Sequence, residues 1–183
     1  MAGISGEADG PGRRAGLARE DRGDAAVAVT DLFRAHHLEL VRLALVMVGD
    51  LATAEDVVQD AFERLHRGWH GLRQPSSSLA YVRASVLNGC RSAHRRAAVA
   101  RKHAPRLAEP PSRSGPDAAA DDRGELAGAL RRLPRRQREV LVLRYYLDLD
   151  VAEIAGTLRI APSSVRAANA RGLAALARAL GEG

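Results

Sequence analysis

The chain has 183 residues, a single cysteine and a formal charge of +6 with a pI of about 10.5, a length that suits one ordinary domain or two small ones. A lone Cys90 excludes an intramolecular disulfide and a cysteine-built zinc cage, and no run approaches the roughly 18 uninterrupted apolar residues of a membrane span. The N-terminal segment carries no apolar run of the kind a secretion signal needs, so a cytoplasmic protein is expected.

Lys102 is the only lysine, so nearly all the positive charge is guanidinium, whose planar fork can grip two phosphate oxygens at once. Where that charge sits therefore matters more than its sum. Residues 1–28 mix small residues, Arg and Asp without periodicity and are expected to form a flexible tail.

From Asp31 to Val48, Leu32, Leu40, Leu43 and Met47 recur at steps of three and four, with His36 filling the gap, which predicts an amphipathic helix. Gly49 to Thr53 breaks it. Thr53, with Asp56 three residues later, is a capping-box-like start for a second helix. That helix places Ala54, Val57, Val58, Ala61, Phe62, Leu65 and Trp69 on one face, and Glu55, Asp56, Gln59, Asp60 and Glu63 on the other. Glycines, a proline and serines from Gly68 to Ser78 predict a loop.

A third helix is expected from Leu79 to about Arg96. Leu79, Val82, Val86 and Cys90 fall on one side of it, and Tyr81, Ser85, Asn88, Arg91 and Arg95 on another. Arg91, Arg95, Arg96, Arg101, Lys102 and Arg106 follow one another with no intervening carboxylate, the densest basic run in the chain. Residues 99–123, rich in Pro, Ser and small residues, read as a linker.

The second half restarts helical over Gly124–Leu133, breaks at Pro134, and continues over Arg135–Leu147. Asp148 to Asp150 offers acidic caps for a short helix, Val151–Leu158. A tight turn at Arg159 to Ala161 leads to Pro162, which suits the first position of a helix because its missing N–H has no partner there. A short helix, a tight turn and a longer helix ending near Leu180 form a helix-turn-helix, with Ala155, Ile160 and Val165 as its small core. Stepping about 100° per residue, the open side of the last helix collects Ser163, Ser164, Arg166, Ala167, Ala170 and Arg171. Arginines suit guanine edges and phosphates, and serines at a helix N-terminus suit phosphate oxygens. Arg131, Arg132, Arg135, Arg136 and Arg138 ahead of the motif add to the positive field.

With these residues in view the chain resembles a known family. Leu133-Pro134, Gln137 to Tyr145, Val151 to Ala155 and Ser164 to Arg166 look like region 4 of extracytoplasmic-function (ECF) sigma factors, of the sigma-70 type of RNA polymerase sigma factors. Phe33-Arg34, Gly49-Asp50, Ala54 to Phe62, Trp69, Leu79 to Arg83, Asn88 and Arg95-Arg96 look like region 2. The resemblance covers about residues 29–98 and 124–180, and implies an all-α fold of two small helical domains joined by a flexible linker: a three-helix region 2 unit and a helix-turn-helix region 4 unit.

It further implies that region 2 binds core RNA polymerase and the −10 element, and that region 4 binds the −35 element. Asp50, Glu55, Asp56, Gln59 and Asp60 would dock on the clamp helices of the polymerase largest subunit. The flap region of the core would be a second contact. Trp69, Tyr81, Asn88, Arg91 and Arg95 would meet the −10 region, where aromatics stack on unpaired bases and arginines hold phosphates. Trp69 also falls on the apolar face, where an aromatic is more often core than wedge. Ser163, Ser164, Arg166, Ala167, Ala170 and Arg171 would face the −35 major groove. Ala161, Ala168 and Asn169 depart from the usual family pattern, which bears on the −35 sequence preference.

Promoter DNA, the polymerase core and an anti-sigma factor are the implied partners; no cofactor, metal, membrane insertion or enzymatic activity is expected. His66 and His70 read as surface side chains rather than metal ligands. The alternative is a stand-alone helix-turn-helix regulator that binds duplex DNA without polymerase.

Overall fold

A computed structural model describes the backbone of residues 11–72, 77–103 and 121–181, and the side chains of 25–69, 71–72, 77–100 and 124–181. The start of the expected tail, residues 73–76 of the expected loop and most of the expected linker lie outside the described residues. Among those described, the chain forms seven α-helices and no strand. They are α1 (Pro11–Val48), α2 (Leu51–Gly68), α3 (Ser78–His103), α4 (Asp121–Arg132), α5 (Arg135–Tyr145), α6 (Val151–Leu158) and α7 (Pro162–Gly181), with a short 3-10 turn at Trp69–Gly71. No helix among the described residues is long and apolar enough to cross a membrane.

Two of the expected starts are corrected. The first helix begins at Pro11 rather than near Asp31. Upstream of Leu32 its buried stripe continues through Ala25 and Val29, four residues apart. Small alanines favour helix strongly but mark its inner face weakly, which is why the periodicity fades there. The second helix begins one turn before Thr53, because Asp50 is its cap. Asp50 sits in extended backbone (φ −131°, ψ 129°), and its Oδ2 accepts the Thr53 N–H at 2.8 Å. The side-chain and backbone hydrogen bonds of Thr53 hold the Asp50 carboxyl below the usual range. At the other end of this half, α3 continues to His103, into residues expected to be linker.

The first three helices share an apolar centre. Leu40, Leu43 and Ala44 of α1, Ala54, Val58, Ala61 and Leu65 of α2, and Val82 and Val86 of α3 are fully enclosed. Phe33 stands edge-on to Phe62 with ring centroids 5.0 Å apart. Where α3 crosses α2, a Cβ on Gly89 would lie 2.7 Å from Val57 Cγ1, so the crossing depends on having no side chain there. Polar ties lock α3 to α1: Arg83 Nη2 donates to Glu39 Oε1 at 3.3 Å, and His94 Nε2 bonds the Met47 carbonyl at 2.8 Å.

The last four helices are joined by short turns, of which the one before α6 carries a side-chain cap. After α5 the chain reverses through Asp148, whose φ is 49°, and Arg144 Nη1 donates to the Leu149 carbonyl at 2.8 Å. Asp150 and Glu153 then form a reciprocal capping box: Asp150 Oδ1 accepts the Glu153 N–H at 2.7 Å, and Glu153 Oε2 accepts the Asp150 N–H at 2.8 Å. Helix α6 ends at Arg159 in the left-handed region (φ 52°), and three residues later Pro162 opens α7. Against α5, a Cβ on Gly172 would meet Leu141 Cδ1 at 3.1 Å, so α7 also packs unusually close.

Two stability measurements check this account. Gly89→Ala is expected to lower the unfolding free energy by about 1–2 kcal/mol, because overpacking of about 1–3 kcal/mol outweighs the roughly 0.5–1 kcal/mol that Ala contributes in a helix. Asp150→Ala should cost about 1 kcal/mol through loss of the cap. Both are read from chemical denaturation followed by circular dichroism, and unchanged midpoints would refute the packing and capping roles.

Candidate nucleic-acid interface

The capping box on α6 and the left-handed turn at Arg159 together aim α7. Val165, Ala168 and Gly172 face inward, which leaves Ser163, Ser164, Arg166, Ala170 and Arg171 exposed and Ala167 half-buried. The six expected groove-facing residues therefore lie on one side of the second helix of the helix-turn-helix. Ala168 packs inward and offers nothing to a groove. Asn169 is tied back to α5, where its Nδ2 donates to the Tyr145 hydroxyl at 3.4 Å.

On α2, Glu55, Asp56, Gln59 and Asp60 are all exposed, as is the cap Asp50 before them. Asp60 bonds Arg64 at 3.1 Å and Glu63 bonds Arg67 at 3.4 Å, each one turn apart. Such exposed pairs are worth only a few tenths of a kcal/mol, so they leave the acidic face free to exchange partners. Trp69 stands at the start of the 3-10 turn, partly buried against the core.

Helix α3 carries the other expected group. Tyr81, Asn88 and Arg95 are exposed, and Arg95 Nη2 donates to Ser92 Oγ at 3.0 Å. Arg91 is different. Its Nε and Nη2 donate to the two carboxylate oxygens of Glu139 on α5 at 2.8 and 3.0 Å, and its Nη1 donates to Asn88 Oδ1 at 2.8 Å. The Glu139 side chain is 2 % exposed and that of Arg91 18 %, so this is a buried, bidentate ion pair between the two halves of the chain. Arg136 Nη1 reaches the same carboxylate at 3.2 Å and Arg135 Nε at 3.5 Å.

Around this pair the halves close on one another. The Tyr146 hydroxyl donates to the Glu39 carbonyl at 3.5 Å, and a single apolar cluster runs from α1–α3 into α5–α7. Cys90 lies in the seam, lining a small cavity with Met47, Leu87, Arg91, Arg135 and Glu139. Burial pushes its thiol up to about 12, so it stays protonated near neutral pH.

This seam revises the expected positive field. Arg138 is buried, one Nη1 donating to the Arg131 carbonyl at 3.2 Å, and its desolvation lowers its pKa. Arg135 and Arg136 are partly neutralised by Glu139. Sequence reasoning missed Glu139 altogether, although one signal was present: it is the only carboxylate among Arg131, Arg132, Arg135, Arg136, Arg138 and Arg144.

Comparison with known proteins identifies both halves of the chain. The model for Sigma-70 region 2 matches residues 32–99 and that for Sigma-70, region 4 matches residues 123–176. The ECF RNA polymerase sigma factor SigM of Mycobacterium tuberculosis is 33% identical over 154 residues, covering 84% of this chain and 78% of that protein. The RNA polymerase sigma-E factor of Streptomyces avermitilis is 32% identical over 144 residues, covering 75% and 76%. Among solved structures, the sigma factor RpoE of Bartonella quintana, in complex with the anti-sigma factor NepR, superposes with a TM-score of 0.65 at 20% identity, over 82% of this chain and 96% of that one. Both halves of the chain, in this order and at this level of identity, belong to one family: the protein is a member of the extracytoplasmic-function sigma factors of RNA polymerase.

Proposed function

We infer that the protein binds core RNA polymerase and directs promoter-specific initiation of transcription. The observation that carries this reading is that one chain presents a helix-turn-helix with an open basic face and, on a separate unit, an exposed acidic helix beside a basic one. A duplex-binding regulator needs only the first. Its role is recognition rather than catalysis, in the cytoplasm.

Within this reading, Arg166 and Arg171 contact the −35 element, with Ser163 and Ser164 holding phosphate oxygens at the α7 N-terminus. Ala167 and Ala170 contribute close approach and methyl contacts rather than hydrogen bonds. Tyr81, Asn88, Arg91 and Arg95 meet the opened −10 region, where stacking and phosphate contacts act together. Trp69 serves there by bracing the segment that follows it. The face of Asp50, Glu55, Asp56, Gln59 and Asp60 docks on the basic clamp helices of the largest polymerase subunit, and the flap region receives region 4. An anti-sigma factor is a further expected partner, as the structural relative RpoE was solved with one.

Gel shifts on genomic fragments with and without core polymerase test the main reading. Retardation is expected only with core present, and retardation by the protein alone, without core binding, would sink it. Arg166→Ala or Arg171→Ala in the holoenzyme should weaken promoter binding and flatten its salt dependence by about one unit of slope, as loss of one phosphate contact does. Reversing charge with Asp56→Arg and Asp60→Arg together should weaken core binding by about tenfold or more, since like charges then face each other. Wild-type affinity for core in a pull-down titration would remove that face from the polymerase contact.

A further inference from the structure

We propose that the outer face of α1 is a self-association surface, on which a second copy of this chain lies antiparallel, helix against helix. Val27 and Leu38 are 62 % and 60 % exposed, the two most exposed large apolar residues of α1 among those described. Between them Asp31 and Arg34 complete a stripe with steps of four, three and four residues, the seam spacing by which two helices interlock. Stepping about 100° per residue, Phe33, which packs on Phe62 of α2, falls on the far side of the helix. The seam therefore uses none of the acidic side of α2 and is independent of the polymerase and promoter surfaces.

The stripe is self-complementary. Val27 and Leu38 stand symmetrically about the point midway between Leu32 and Phe33, and so do Asp31 and Arg34. A twofold axis through that point sets Val27 against Leu38 of the second copy, and Asp31 against its Arg34, in one and the same register. Within one chain Asp31 and Arg34 approach only to 3.8 Å, with both side chains largely exposed, so their pairing is weak and free to exchange across the seam. A parallel pair would instead place Asp31 on Asp31 and Arg34 on Arg34, which like-charge repulsion opposes.

The same face has the shape to receive a knob. Val27, Thr30, Asp31 and Arg34, at i, i+3, i+4 and i+7, line an open groove together with Ala26, the four-residue hole that takes one knob of a facing helix. Leu38 of the second copy arrives at the level of Val27 and leans toward its own N-terminus, over that hole. Thr30 and Ala35, a third symmetric pair, are small enough to let the helices approach. A seam this short buries less than the roughly 1,200 Å² of a stable interface, so association is reversible, at micromolar concentrations or above.

Sedimentation velocity of the full-length protein over a rising concentration series tests this pairing. The weight-average mass should climb from 19.5 kDa toward twice that value. Arg34→Asp, which sets carboxylate against carboxylate, should weaken association about tenfold or more, and the charge-swapped double variant Asp31→Arg with Arg34→Asp should restore it. Both positions are exposed, so helical content by circular dichroism should not change. Under mild oxidation, a mixture of Val27→Cys and Leu38→Cys proteins should form a disulfide-linked dimer, with the wild-type protein, whose Cys90 is buried, as the control. Neither variant alone should do so, because identical positions lie about 16 Å apart along the antiparallel seam at about 1.5 Å per residue. A mass that stays monomeric at every concentration would overturn the proposal, as would association that Arg34→Asp leaves untouched or that the double variant fails to restore. Cross-linking of either cysteine variant alone would overturn the antiparallel register.

Discussion

A carboxylate cannot remain charged in a protein interior without positive partners close by, since desolvating an isolated ion costs far more than a domain's net stability. Glu139, with its side chain 2 % exposed, meets this condition through Arg135 and Arg136 on its own helix and, at the shortest distance, through Arg91, which α3 brings to it from the other half of the chain. Breaking such a buried pair by removing one member typically costs about 3–5 kcal/mol. The relative placement of the two halves is therefore set by a specific pairing as well as by apolar area. The apolar cluster that spans both halves supplies adhesion, and the pairing supplies register.

That register assigns different conditions to the three surfaces. The outer side of α7 faces solvent with Arg166 and Arg171 free of any constraint from the seam. The acidic side of α2 is likewise open, its charges engaged only in weak pairs along the same helix. The α3 face is divided: Tyr81 and Arg95 are exposed, while Arg91 is held by Glu139 and Asn88 accepts from it. In this layout the outer sides of α2 and α7 are open, and the α3 face is open only in part.

The helix-turn-helix is narrower in chemical vocabulary than its form suggests. Two of its six open residues are alanine, and the inward packing of Ala168 and the Tyr145 bond of Asn169 remove two further positions from direct readout. Gly172 brings α7 within 3.1 Å of Leu141 for a notional Cβ, so the helix is fixed closely on α5.

Most of the architecture was legible in the residues because helix periodicity, caps and turns are local properties. The apolar stripes of α2 and α3, the Asp150 cap, the Arg159 turn and the open side of α7 all follow from spacings of three or four residues. The exceptions were also local in origin: alanines concealed the upstream part of α1, and Asp50 outcompeted Thr53 as a cap because its carboxylate reaches the Thr53 N–H. What periodicity could not reach was the meeting of Arg91 with Glu139, 48 positions apart. On its own helix each is a polar residue with ordinary surface alternatives, and only the packing of α3 against the second half excludes water from both. The sequence by itself determined which helices form and which faces they offer; the tertiary structure alone decided which of the offered charges are already taken, because an ion pair between distant segments exists only once their shared core has brought them together.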